Sequence, residues 1–111
     1  MVFSQSLAER VRFVFTQHRG VTEKRMFGGI GFLRAGHMVV AVWQSSLIVR
    51  LGIPAAEKAM TLPGVRPFDV TGKPMKGWAM IEPDGLDSDR QLEHWIEQAM
   101  AFVRELPPKI D

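Results

Sequence analysis

MFGGIGFLRAGHMVVAVWQSSLIVRL, residues 26–51, is the stretch on which the fold turns. It holds three apolar runs, over 26–33, 38–43 and 47–51, parted by the polar turns Arg34-Ala35-Gly36-His37 and Gln44-Ser45-Ser46. Val39, Val40 and Val42 make the middle run almost continuously apolar, and Ile30 and Phe32 share one face of the first if it is extended. Strands joined by such short turns can only be antiparallel neighbours.

Working outward, Ser4 or Ser6 can cap a helix whose apolar positions are Leu7, Val11, Val14 and Phe15, with Arg19-Gly20 as its stop. Beyond Gly52, Pro54 suits the first turn of a short helix through Ala55, Ala56, Ala59 and Met60, and Leu62-Pro63-Gly64 breaks it. Val65–Val70 and Gly77–Ile81 read as two more short strands around the turn TGKPMKG. Ser88, with Gln91 three residues on, completes a capping box for a last helix with the stripe Leu92, Trp95, Ile96, Ala99 and Val103, which Pro107-Pro108 stops. The expected order is α-β-β-β-α-β-β-α. This is an α+β fold in two layers: an antiparallel sheet of about five strands with the first and last helices on one face. Val11, Val14, Trp95, Ile96 and Val103 are its expected core.

Composition narrows the class. The 111 residues make one domain, 1–111, with 46% hydrophobic and 23% charged residues, which is ordinary globular usage. No cysteine is present, so neither a disulfide framework nor a thiolate zinc site can form. Glu9, Arg10 and Arg12 interrupt any leader, and no apolar run approaches the ~18 residues of a membrane span, so a soluble, cytoplasmic protein without membrane contact is expected. The charge is uneven. Residues 1–77 carry 11 Lys/Arg and 4 Asp/Glu, a net +7, whereas residues 78–111 carry 3 and 8, a net −5. Either the halves neutralise each other, or a basic face attracts an acidic partner.

No constellation points to catalysis. His18, His37 and His94 fall on a helix end, a hairpin tip and a late helix, none with a partner at metal-ligand spacing. Gly-x-Ser-x-Gly is absent, and Asp69 near Lys73 and Lys76 reads as a loop ion pair. Gly28-Gly29-Ile30-Gly31 lacks Gly-x-Gly-x-x-Gly spacing, and Gly72-Lys73 is followed by Pro74, so neither nucleotide template fits. The glycines read instead as backbone-shaping, allowing a bulge or a close approach. No cofactor, metal or catalytic residue is expected.

The segments LAERVR, VTEKRMFGGIGFL, LIVRLG, GVRPFDVTGKPMKGW and LEHWIEQA, in this order, resemble the TfoX N-terminal domain family. The resemblance spans Leu7 to Pro107. Its most specific pieces are Met26-Phe27-Gly28-Gly29 and Thr71-Gly72-Lys73-Pro74-Met75-Lys76-Gly77-Trp78. It implies a two-layer α+β domain of the kind found in the TfoX and Sxy competence regulators, transcriptional co-activators of DNA uptake. Those regulators continue into a helical C-terminal domain, so a stand-alone N-terminal-domain protein is expected here. The family supplies no catalytic residues.

The expected function is thus a non-enzymatic regulatory, protein-interaction module with a partner in the transcription machinery, a weak DNA contact and a homodimeric assembly through open strand edges. The alternative is a small-ligand or nucleic-acid-binding domain using the glycine-rich strand and the TGKPMKG turn. Lys24, Arg25, Arg66, Lys73 and Lys76 are the candidate partner-binding cations, with Trp78 beside them. Trp43, Trp78 and Trp95 are expected as core or interface anchors.

Overall fold

The Ser4 hydroxyl accepts a hydrogen bond from the Leu7 N–H at 3.1 Å and so starts helix α1 (Gln5–Phe15). The computed structural model describes residues 3–26, 28–69 and 72–108. After α1 come strands β1 (Val21–Met26), β2 (Gly29–Arg34), β3 (His37–Trp43) and β4 (Ser46–Arg50). Helix α2 (Ile53–Ala59), β5 (Val65–Pro67), β6 (Trp78–Ile81), a 3-10 turn at Pro83–Gly85 and helix α3 (Asp89–Arg104) complete the chain. The strands form one antiparallel sheet in the order β1-β2-β3-β4-β6-β5.

The meander forms as its turns require. Ala35 and Gly36, both at positive φ (53° and 83°), make the two-residue link between β2 and β3 that matches the twist of a hairpin. The sheet nevertheless has six strands rather than about five. Val21–Met26 is a strand of its own, and only its two end residues are partly buried. Ladder hydrogen bonds to β2 hold it, so its sequence, VTEKRM, has no apolar alternation to betray it. The strand expected over 26–33 therefore divides around Gly28, at φ +74°, and Phe27 lies outside the described residues. The strand expected over 65–70 is confined to 65–67, since Pro67 has no N–H to carry the ladder further; Val70 lies outside the described residues.

All three helices pack on one face. From α1 come Leu7, Val11, Val14 and Phe15; from α3 come Leu92, Trp95, Ile96, Ala99, Met100 and Val103. The strands answer with Ile30, Phe32, Val40, Val42, Leu47, Val49 and Ile81. Phe15 stacks on Phe32 with centroids 5.4 Å apart. The register shifts between Phe32 and Leu33, which leaves Val39 unpaired in the ladder, and both Val39 and Val40 reach the core. All five expected core residues are buried, and each large one stabilises the fold by about 1.5–3 kcal/mol relative to exposure.

Polar ties fix the helices in place. Arg12 donates to Glu23 at 2.8 Å, linking α1 to β1, and this bond raises the guanidinium pKa further above its ordinary value. His18 is held between Glu97 (Nε2 to Oε2, 2.8 Å) and Arg104 (Nη2 to Nδ1, 3.1 Å). Because Arg104 can only donate, Nδ1 is the acceptor and Nε2 carries the proton. At α3 the capping box forms: Gln91 N–H donates to Ser88 Oγ at 3.1 Å and Ser88 N–H to Gln91 Oε1 at 3.0 Å.

Two stability measurements check this account. A Cβ at Gly29 would run into the Val42 carbonyl oxygen of the neighbouring strand, whereas one at Gly20 meets nothing within 4 Å. Gly29→Ala should then cost about 1–3 kcal/mol through overpacking. Gly20→Ala, at φ +77°, should cost only the roughly 1 kcal/mol of a left-handed alanine. Urea midpoints for the two variants give the comparison, and equal losses would contradict it. Ser88→Ala removes half of the capping box and should lower stability by about 1 kcal/mol, read as a lower thermal midpoint.

Candidate functional site

Side chains alternate across a strand, so the residues between the core positions point away from the helices. On that second face the ladder places Lys24, Gly31, Ala41, Ile48, Met80 and Arg66 in one row, one residue from each strand. Ala41, Ile48 and Met80 are buried there, and Met38, Trp43, Phe68 and Trp78 pack half-buried against them. Among the described residues no helix covers this face. In part it is walled by Phe68 and Met75, joined where the Met75 N–H donates to the Phe68 carbonyl at 3.0 Å.

What remains between wall and sheet is a groove of roughly 720 Å³. Met26, Met38, Trp43, Ile48, Met75 and Trp78 supply its apolar surface. Gly29 and Ala41 lie in its floor, and beside them the methyl ends of Met26 and Met38 close in over Gly31, 3.2–3.3 Å from where a Cβ would stand. Gly77, at φ +88°, lets the wall turn back into β6. The glycines thus have separate roles: Gly28 turns the chain, Gly29 admits the β3 backbone, and Gly31 leaves room for the methyl ends of Met26 and Met38.

The groove has one cationic end. Arg50, at the end of β4, pairs with Trp78 of β6 and lies next to His37, the first residue of β3. Its guanidinium carbon is 5.4 Å from the Trp78 ring centroid and 5.8 Å from that of Phe102 on α3, a cation between two aromatic faces. Its one hydrogen-bond contact among the described residues is a long one, 3.5 Å from Nη1 to His37 Nδ1. His37 is itself fixed by a 2.7 Å bond from Nε2 to the Pro107 carbonyl, so Nε2 carries the proton and Nδ1 turns its lone pair to Arg50. Among the described residues Arg50 has no carboxylate partner.

The six expected site residues separate. Trp78 is a wall of the groove. Lys24 and Arg66 share its face, but at opposite edges, five strand spacings or about 24 Å apart. Arg66 is tied to Glu82 at 3.1 Å, and Glu82 also accepts from Ser46 Oγ at 3.1 Å. Arg25 points to the helix side, 5.6 Å over the Phe3 ring. Lys73 and Lys76 are exposed on the chain beside Met75. The cations therefore do not line one rim: Arg25 lies on the helix side and Arg66 is paired with Glu82 at the far edge. Arg50, His37 and the methionines escaped sequence reasoning. The one available signal was an arginine inside an otherwise apolar strand, LIVRL.

The charge asymmetry has a mixed origin. Arg10–Asp89 and Arg66–Glu82 join the two halves of the chain, so part of it is internal pairing. Lys24, Arg50, Lys73 and Lys76 take part in no acid–base contact among the described residues. Also among the described residues, no three His, Asp or Glu side chains gather as metal ligands. The arrangement offers apolar burial and one oriented cation, which are the elements of a binding surface.

Comparison with curated proteins and with solved structures gave no match. The family model of the TfoX N-terminal domain matches residues 14–103, a span that takes in the whole sheet, both walls of the groove and α3 up to its last residue but one. The chain belongs to the TfoX N-terminal domain family.

Proposed function

We propose that this protein is a non-enzymatic regulatory module that acts by docking a partner protein on the uncovered face of its sheet. One observation carries the reading. Among the described residues a two-faced apolar sheet has helices on one side only, and the other side keeps a groove with half-buried Trp43, Trp78, Met38 and Phe68. Contiguous apolar surface of this kind marks interaction sites, and methionine suits it because its flexible thioether adapts to different partners. Lys24, Lys73 and Lys76 around it favour an acidic partner and would speed its arrival. The family's co-activators of transcription support a partner in that machinery, with any DNA contact weak and electrostatic. A homodimer would use this same face, because β1 is blunted by Glu23, Lys24 and Arg25 and β5 is three residues long and ends in Pro67.

A small-ligand reading stands second, and one observation favours it. The glycine-rich strand and the 72–78 turn, far apart in sequence, come together as parts of the same groove through Gly29, Met75 and Trp78. Its volume falls within the range of about 300–1,000 Å³ that small-molecule sites occupy.

Affinity capture from the native host, with nuclease added, tests the docking reading. A specific protein should be retained by the wild-type chain and released as salt rises, since contacts of exposed cations are screened over about 10 Å at 0.1 M. Met38→Glu should abolish retention, and the pair Lys73→Ala and Lys76→Ala should weaken it severalfold while leaving the melting curve in place. Retention that is indifferent to Met38→Glu would place the partner on another surface.

A further inference from the structure

The small-ligand reading can be taken to a chemical class, and the following rests on it. We propose that the groove binds an apolar carboxylic acid of medium chain length, with its carboxylate on Arg50 and its tail running along the sheet toward Trp43.

The tail follows from what the floor can offer. Backbone N–H and C=O groups of β2, β3, β4 and β6 are spent in the ladder, so the face presents side chains alone. An extended peptide laid on it would leave its own backbone groups without partners, at a cost that a hydrocarbon chain does not carry. Met26, Met38, Ile48 and Trp43 give such a chain continuous apolar contact. Trp43 pairs with Ser46, four residues before Arg50 on β4, so the path is about 13 Å long at 3.3 Å per residue.

The head group follows from Arg50. A guanidinium is a planar fork whose parallel N–H donors match the two oxygens of a carboxylate. The forks of Arg10, Arg12 and Arg66 already meet a carboxylate, whereas that of Arg50 has none among the described residues. Trp78 and Phe102 flank the guanidinium, and His37 occupies one donor only weakly at 3.5 Å. Most of the fork is therefore held in place and left unspent at the mouth of an apolar groove. One cation balances one negative charge. Among the described residues no second Lys or Arg and no helix N-terminus lines the groove with it, which favours a carboxylate over a doubly charged phosphate.

Dodecanoate and dodecan-1-ol are the probes, titrated below their aggregation limits into the purified chain by calorimetry, with Trp43 and Trp78 fluorescence as a second signal. Dodecanoate should bind one to one and about tenfold or more tighter than the alcohol, the scale of a charge-assisted hydrogen bond. Arg50→Met keeps the apolar volume and should remove that difference; Arg50→Lys, which keeps the charge and loses the fork, should retain part of it. Ala41→Phe fills the floor and should abolish binding of both probes, with near-ultraviolet circular dichroism confirming that each variant is folded. Equal affinity for the two probes, or an Arg50→Met chain that still prefers the acid, would overturn the carboxylate assignment and leave an apolar ligand site. Binding of neither probe, or binding unchanged in Ala41→Phe, would overturn the ligand reading itself.

Discussion

A β-sheet has two faces, and the described residues of this chain provide helices for only one of them. That constraint organises the molecule. β2, β3 and β4 are apolar at nearly every position, so alternation sends hydrophobic side chains both toward α1 and α3 and away from them. The first set forms the main core. The second set, centred on Ala41, Ile48 and Met80, is a smaller cluster covered, among the described residues, by its own aromatic and methionine neighbours. Strands that read as if buried on both sides, in a sheet layered on one, leave an apolar surface in contact with water. Such a surface is retained at a cost in solubility, which is the physical ground for reading it as functional.

Small residues decide the shape of that surface. The row across the second face runs through Gly31 and Ala41 before it reaches Ile48 and Met80, so small residues lie toward β2 and β3 and bulky ones toward β6. Three flexible methionines, Met26, Met38 and Met75, border the groove. A floor of small residues beneath adaptable side chains can accept different shapes without strain in the backbone. At the open end Arg50 joins the two layers: its aliphatic stem belongs to β4, while its guanidinium rests between an aromatic of the second face, Trp78, and one of α3, Phe102. The same side chain therefore ties the helix layer to the groove and points a charge at its mouth.

The sequence by itself determined the local elements, because each rests on a short-range physical rule. Two short turns forced the antiparallel meander; Ser88 and Gln91 located the start of α3 through a capping box that forms as written; and the 3.6-residue spacing of Leu92, Trp95, Ile96, Ala99 and Val103 identified its buried stripe. It also placed Trp78 on a strand that bears on the second face. β1 stayed illegible, since an edge strand held by backbone hydrogen bonds needs no hydrophobic period. What only the tertiary structure decided is the site. Met26, Met38, Arg50 and Met75 lie on four separate segments, and their meeting depends on strand order and register rather than on any spacing along the chain. The same holds for charge: parity on β1 sends Arg25 to the helix side and Lys24 to the groove side, and strand order carries Arg66 to the far edge. Local interactions fix elements, while the side on which a residue ends up, and what stands opposite it, is set by pairing between residues far apart in sequence.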